Sequence, residues 1–204
     1  MYTKAKIFNL ALSALLLQRQ IIEPETDKSN EAKVLNSFYD VAFRTTLEDL
    51  DLDSTSTTVT LELIEEDPTD HWKFSYRYPS NCLFFRRIKS CALKDDRTTH
   101  IRRKVEMRGG EKVILSNKED AEAEIIPIDI SLASLAASVG MCVAYKLAMM
   151  SAPLITGKGA QKLRASLQGN YIIFKAEAQE MDRRENFEYD DPIVESEFVR
   201  ARLE

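Results

Sequence analysis

The hydrophobic period of this chain changes twice. Apolar residues recur every three or four positions over about 3–20 and 29–50, alternate with polar ones through the middle, then return to the helical spacing over about 130–151 and 160–185. Side chains on a helix repeat every 3.6 residues and on a strand every two, so one segment cannot satisfy both patterns. The sequence therefore predicts an α+β fold: an antiparallel four-helix domain formed by the chain ends, with a small antiparallel β module inserted. The matching boundaries are 1–53 plus 129–186 for the helices, 54–128 for the β module and 187–204 for a C-terminal docking tail.

Punctuation supports these elements. Glu23-Pro24-Glu25 breaks the first periodic stretch, and Asp27 or Ser29 can cap the second helix, whose apolar face is Ala32, Leu35, Phe38, Tyr39 and Ala42. That helix is expected to end at Leu50 or Leu52. Thr58–Leu63 reads as one strand, Trp72, Phe74 and Tyr76 mark another, and Cys82–Ile88 follows the Pro79-Ser80-Asn81 turn. Gly109-Gly110 predicts a hairpin between His100–Met107 and Glu111–Leu115, and Ala121–Ile128 supplies a last short strand. A sheet, sandwich or partial barrel all fit. Pro153 is expected to end the third helix. The fourth shows Leu163, Leu167, Tyr171, Phe174, Ala178 and Met181 as its buried face.

Composition narrows the function classes. A net charge of −5 disfavours non-specific binding to nucleic acid, because phosphate affinity comes from Lys and Arg. Three cysteines (Cys82, Cys91, Cys142) in a chain able to build a core point to synthesis in a reducing compartment. Lys4, Lys6 and the run Ile7–Leu17 superficially match a signal peptide. Asn9 and Ser13 interrupt that run, and Gln18-Arg19-Gln20 stands where small residues would precede cleavage, so an amphipathic or core helix is expected. No stretch reaches the roughly 20 apolar residues of a membrane span, and no membrane is expected as a partner.

The chemically suggestive residues each have a plainer explanation. Gly157-Lys158-Gly159 follows a helix, and no Ser or Thr follows the lysine, so it reads as an interhelical turn and not a phosphate loop. His71, Cys82, Cys91 and His100 are zinc-type ligands without a close pair to start a site. Neither metal nor cofactor is expected. Glu65, Glu66, Asp67 and Asp70, with Glu119, Asp120, Glu122 and Glu124, read as turn residues and a solvated strand edge, with a hydrolase using the first four as the minor alternative. Arg86, Arg87, Lys89, Lys94, Arg97, Arg102, Arg103, Lys104 and Arg108 concentrate positive charge. Alternation places many of them on one solvent face, which suits a nucleic-acid-binding or DNA-packaging accessory protein as the alternative function.

Two further surfaces matter. Ala133, Ala137, Gly140 and Ala144 make much of the third helix small, which fits either a tight intramolecular bundle or a crowded subunit contact. The tail keeps Phe187, Tyr189, Ile193, Val194 and Phe198, then Arg200 and Arg202, whereas disordered tails are usually poor in such residues. It can fold back on its own domain or order on a partner.

Several stretches resemble the head-to-tail adaptor proteins of tailed bacteriophages, of the podoviral tail tubular protein A type. They are Ser29–Asp51, with Ala32-x-x-Leu35 and Tyr39-x-x-x-Phe43-Arg44; Trp72-x-Phe74-x-Tyr76-x-Tyr78-Pro79-x-Asn81-Cys82-Leu83; Leu132–Ala136; and Ser196–Arg202. Asn81 stands where the family commonly has Asp. The resemblance implies a structural, non-enzymatic protein of the virion, at the head–tail junction. It implies a homo-oligomeric ring, commonly of twelve copies, beneath a portal protein ring and above a downstream tail or nozzle protein. DNA would pass through the channel without specific binding. Portal contact would fall on Phe187, Tyr189, Ile193, Val194, Phe198, Arg200 and Arg202. Of the two settings open to the small helix face, the ring implies the subunit contact at Ala133, Ala137, Gly140 and Ala144.

Overall fold

The structure, a computed structural model, describes residues 2–90 and 101–186. Over these residues it is an α+β protein with four helices and two antiparallel sheets: α1 Lys4–Ala14, α2 Asn30–Leu50, β1 Thr57–Thr60, β2 Leu63–Thr69, β3 Trp72–Arg77, β4 Cys82–Ile88, β5 Arg103–Arg108, β6 Glu111–Ser116, β7 Glu122–Pro127, α3 Ala137–Ile155 and α4 Ala160–Glu185. The tail residues expected to meet a portal, together with Cys91, Lys94, Arg97 and His100, lie outside the described residues.

Helix α3 is the hub, packed by α1, α2 and α4. Although long and apolar enough to span a bilayer, it is enclosed by other helices: Val143, Ala144, Leu147 and Ala148 join Ile7, Phe8, Ala11, Leu12 and Leu35 in the helical core. Ser29 caps α2 by accepting the Ala32 N–H, and Asp27 accepts the N–H of Ser29. Three helix ends depart from expectation. α1 stops at Ala14 because Leu16 turns left-handed (φ 61°), so that the Leu17 N–H reaches Leu12 O and the Leu16 N–H reaches Ser13 O. α3 begins late, since Ser131 Oγ and Ser134 Oγ bond locally and fold Leu132–Ser134 into a separate 3-10 turn. α3 also runs past Pro153 to Ile155.

Leu16 is 77% exposed, so its side chain contributes little packing while its backbone is strained. Leu16→Gly is expected to stabilise the protein by about 0.5–1 kcal/mol, read from urea unfolding. An unchanged or lower midpoint would mean that the extra freedom of glycine in the unfolded chain cancels the relief.

The strands form a three-stranded sheet, β1-β7-β4, and a four-stranded sheet, β2-β3-β6-β5. Gly109 and Gly110, both at positive φ, close the β5–β6 hairpin as the sequence predicts. Thr58–Leu63 is not one strand. The chain changes sheets at Leu61-Glu62: the Leu61 N–H bonds Ala121 O beside β7, while Glu62 O accepts from Arg77 on β3. Tyr76 and Ile114 of the larger sheet meet Phe85, Ile88 and Ile125 of the smaller one in a single cluster. Strand β7 is covered on both faces: Ile125 packs between the sheets, and Ile126 joins Leu47, Leu50, Val139 and Tyr171 of the helices. The order of layers is therefore helices, small sheet, large sheet.

Candidate functional site

Sheet and helices meet at a corner where charge is buried. In β4, Phe85 pairs with Ile125 and Arg87 with Glu124, which leaves Arg86 as the extra residue of a bulge. The bulge sends two successive arginines to one side, and both reach Glu124 of β7, Arg87 through Nε at 2.7 Å. The Arg86 side chain is only 6% exposed and extends to the end of α2, with Nε 2.7 Å from Asp51 and Nη2 2.7 Å from Asp53. Burial alone would lower the Arg86 pKa, but the Asp53 hydrogen bond and the charges of Glu124 and Asp51 raise it above its ordinary value. Asp51 is itself the left-handed C-cap residue of α2, at φ 48°.

A fourth carboxylate closes the same corner from α4. Asp182, in the last turn of α4, is buried and accepts the backbone N–H groups of Asp53 (2.8 Å) and Ser54 (2.9 Å). Those amides open the 3-10 turn Asp53–Thr55, which has no side-chain cap of its own. One turn of chain thus receives Arg86 from the sheet and Asp182 from the last helix.

Further along the α2–α4 seam, the Tyr171 hydroxyl and Lys175 Nζ both donate to Asp49, the lysine at 2.7 Å. Burial disfavours the Asp49 charge. The bonds from Lys175 and Tyr171 and the charges of Lys175 and Lys146 outweigh it, and the carboxyl lies below its usual 3.8. A folded value below the unfolded one gives stability that is present above the unfolded pKa and lost as pH falls through the folded value. The melting-temperature gap between the protein and Asp49→Asn is therefore expected to narrow as pH drops from about 6 to about 3. A gap independent of pH would refute the assignment. Burial, helped by Asp49, pushes the nearby Cys142 thiol up to about 12, which leaves it poorly reactive.

A cleft of about 340 Å³ opens beside this corner, lined by Ser54, Ser56, Ser131, Ser134, Leu135 and Glu185 among others. It offers hydroxyls and one carboxylate.

The residues singled out from sequence scatter. Gly140 and Ala144 cannot meet another subunit: Ala144 is buried in the helical core, and a Cβ on Gly140 would lie 2.9 Å from the Tyr2 ring. Of that set, Ala137 is exposed and Ala133 half-buried. The basic residues do not share one solvent face. Arg86 and Arg87 turn toward the helices, Arg103 lies over the Phe85 ring and donates to Arg86 O, and Lys104 and Arg108 pair with Glu106. Glu65, Glu66, Asp67 and Asp70 are exposed around the β2–β3 hairpin, with Glu65 bound to Arg108, and Glu119, Asp120 and Glu122 are exposed too. Glu124, expected at the same solvated edge, is instead buried, because the β4 bulge brings Arg86 and Arg87 to it. His71 occupies that hairpin's turn, while Cys82 donates to the Tyr78 hydroxyl at 3.3 Å. Among the described residues, no group of three metal-capable side chains converges.

Asp182 went unmarked in the sequence, although its signal was present. It follows Leu167, Tyr171 and Ala178 at helical spacing and so places an acid on the buried stripe, whereas Met181 is exposed. Arg86 carried no comparable signal, because a bulge is invisible in a single strand. The fold and this corner define an α+β protein whose sheets are joined to its helices through buried charge. No protein-family model and no curated protein matches the chain.

Proposed function

We propose that this chain is a structural head-to-tail adaptor of a tailed bacteriophage. It forms a ring below the portal, extends the DNA channel and provides the surface on which the tail is attached. The observation that carries this reading is the joint between helices and sheets. Arg86, Glu124, Asp51 and Asp53, closed by Asp182, hold the two parts in one pose, and β7 is packed on both sides. A protein that must keep one neighbour above and another below needs its two ends in fixed relation. In this reading the chain ends act as one antiparallel four-helix domain, the ring wall, and the inserted β module faces the next tail component. The C-terminal residues Phe187–Arg202 engage the portal, while Ala133 and Ala137 remain available to adjacent subunits.

The test is native mass of the purified protein, alone and mixed with its cognate portal ring. About a dozen copies per portal supports the adaptor. Absence of association across salt and concentration overturns it. Deleting residues 187–204 is expected to leave the melting temperature unchanged and to abolish association with the portal. A truncation that does not fold would make the tail part of the core instead.

A further inference from the structure

Among the described residues, helix α4 packs along a narrow seam that buries Leu167, Tyr171, Ala178 and Asp182 of its 26 residues. Its opposite face is apolar and open. Ala165, Gly169, Ile172, Ile173 and Ala176 are all exposed there, with Ile172 and Ile173 at 55% each, and a Cβ built on Gly169 meets nothing within 4 Å. At 3.6 residues per turn these five positions span roughly 100° of the helix surface.

We propose that this face binds the same face of a second copy, with the two α4 helices antiparallel about a two-fold axis near residue 171. Charge placement carries the choice of partner. Lys162 and Glu180 are eighteen residues apart, about five full turns, so they occupy the same flank of the helix. They also lie at equal distances on either side of residue 171. In the antiparallel pair, Lys162 of each copy faces Glu180 of the other, and both charges are exposed. The same symmetry sets Gly169 of each copy opposite Ile173 of the other, a hollow against a branched side chain. A parallel pair would instead oppose lysine to lysine and glutamate to glutamate.

The contact is small. Lys162 to Glu180 covers about 28 Å of helix, and at a width of about 10 Å buries on the order of 300 Å² per copy, well below the ~800 Å² of a stable interface. The dimer is therefore weak and concentration-dependent. A two-fold contact closes at two copies, which prevents filaments from growing through this face. None of this depends on the portal.

Sedimentation equilibrium of the full chain from about 5 to about 500 µM is the test, since a contact this small dissociates within that range. The expected result is a monomer–dimer equilibrium that Ile173→Asp weakens by about tenfold or more. Lys162→Glu and Glu180→Lys each weaken it by about threefold or more, and the double variant associates more tightly than either single one. Glu180 also pairs with Arg184 within the helix at 3.0 Å, so the double variant is compared with Glu180→Lys, which loses that pair too. A monomer throughout, or a dimer indifferent to Ile173→Asp, overturns the contact. A double variant no tighter than Glu180→Lys overturns the antiparallel register.

Discussion

Arg86→Leu is expected to lower the unfolding free energy by about 3 kcal/mol, read from urea denaturation. Leu fills part of the volume but leaves Glu124, which is 8% exposed, without its closest cation. Removing one partner of a buried pair typically costs about 3–5 kcal/mol. The lower end applies here because the side chains of Asp51 and Asp53 keep 45% and 38% of their surface in water. Arg87 softens the loss further, since it remains bound to Glu124 Oε2. Adding Glu124→Leu to Arg86→Leu should recover about 1–2 kcal/mol, because the stranded carboxylate goes with it. A double variant as unstable as the sum of the two single ones would mean that the charges act separately and that the corner is not one cluster.

That corner shows where reading the sequence stops. Period and punctuation placed α2, α4 and the Gly109-Gly110 hairpin well, since each is set by residues close in the chain: Ser29 at the cap, Leu50 at the end, two glycines at positive φ. The departures come from distant partners. Thr58–Leu63 alternates throughout, yet the strand changes sheets at Leu61-Glu62 because Ala121 and Arg77 capture successive backbone groups. Arg86 looked like one more exposed arginine, and only the pairing of β4 with β7 reveals the bulge that turns it inward. The small residues of α3 were ambiguous for the same reason. Gly140 and Ala144 take the intramolecular setting because Tyr2 and α1 lie against them. A stripe of alanine and glycine records that something comes close; the rest of the chain decides what.

Asp182→Leu is expected to cost about 2–4 kcal/mol, chiefly through the distant amides of Asp53 and Ser54 that it holds. The carboxylate accepts two backbone N–H groups, from Asp53 and Ser54, and the N-cap of that turn, Leu52, offers no side-chain hydrogen bond. An apolar replacement leaves both donors facing a side chain that cannot accept, and each orphaned amide adds to the loss. Asp182→Asn keeps one acceptor oxygen and should lose about 1–2 kcal/mol. Amide exchange separates this mechanism from a simple packing defect. In Asp182→Leu, the Asp53 and Ser54 amides should exchange much faster, while Ile125 in the centre of β7 keeps the protection that global stability allows. Unchanged exchange at residues 53 and 54 would refute the capping role even if stability fell. Because Asp53 also pairs with Arg86, the Arg86→Leu and Asp182→Leu losses should sum to more than the double variant shows. Once either partner is gone, the 53–55 turn is partly released, and the second substitution has less left to undo.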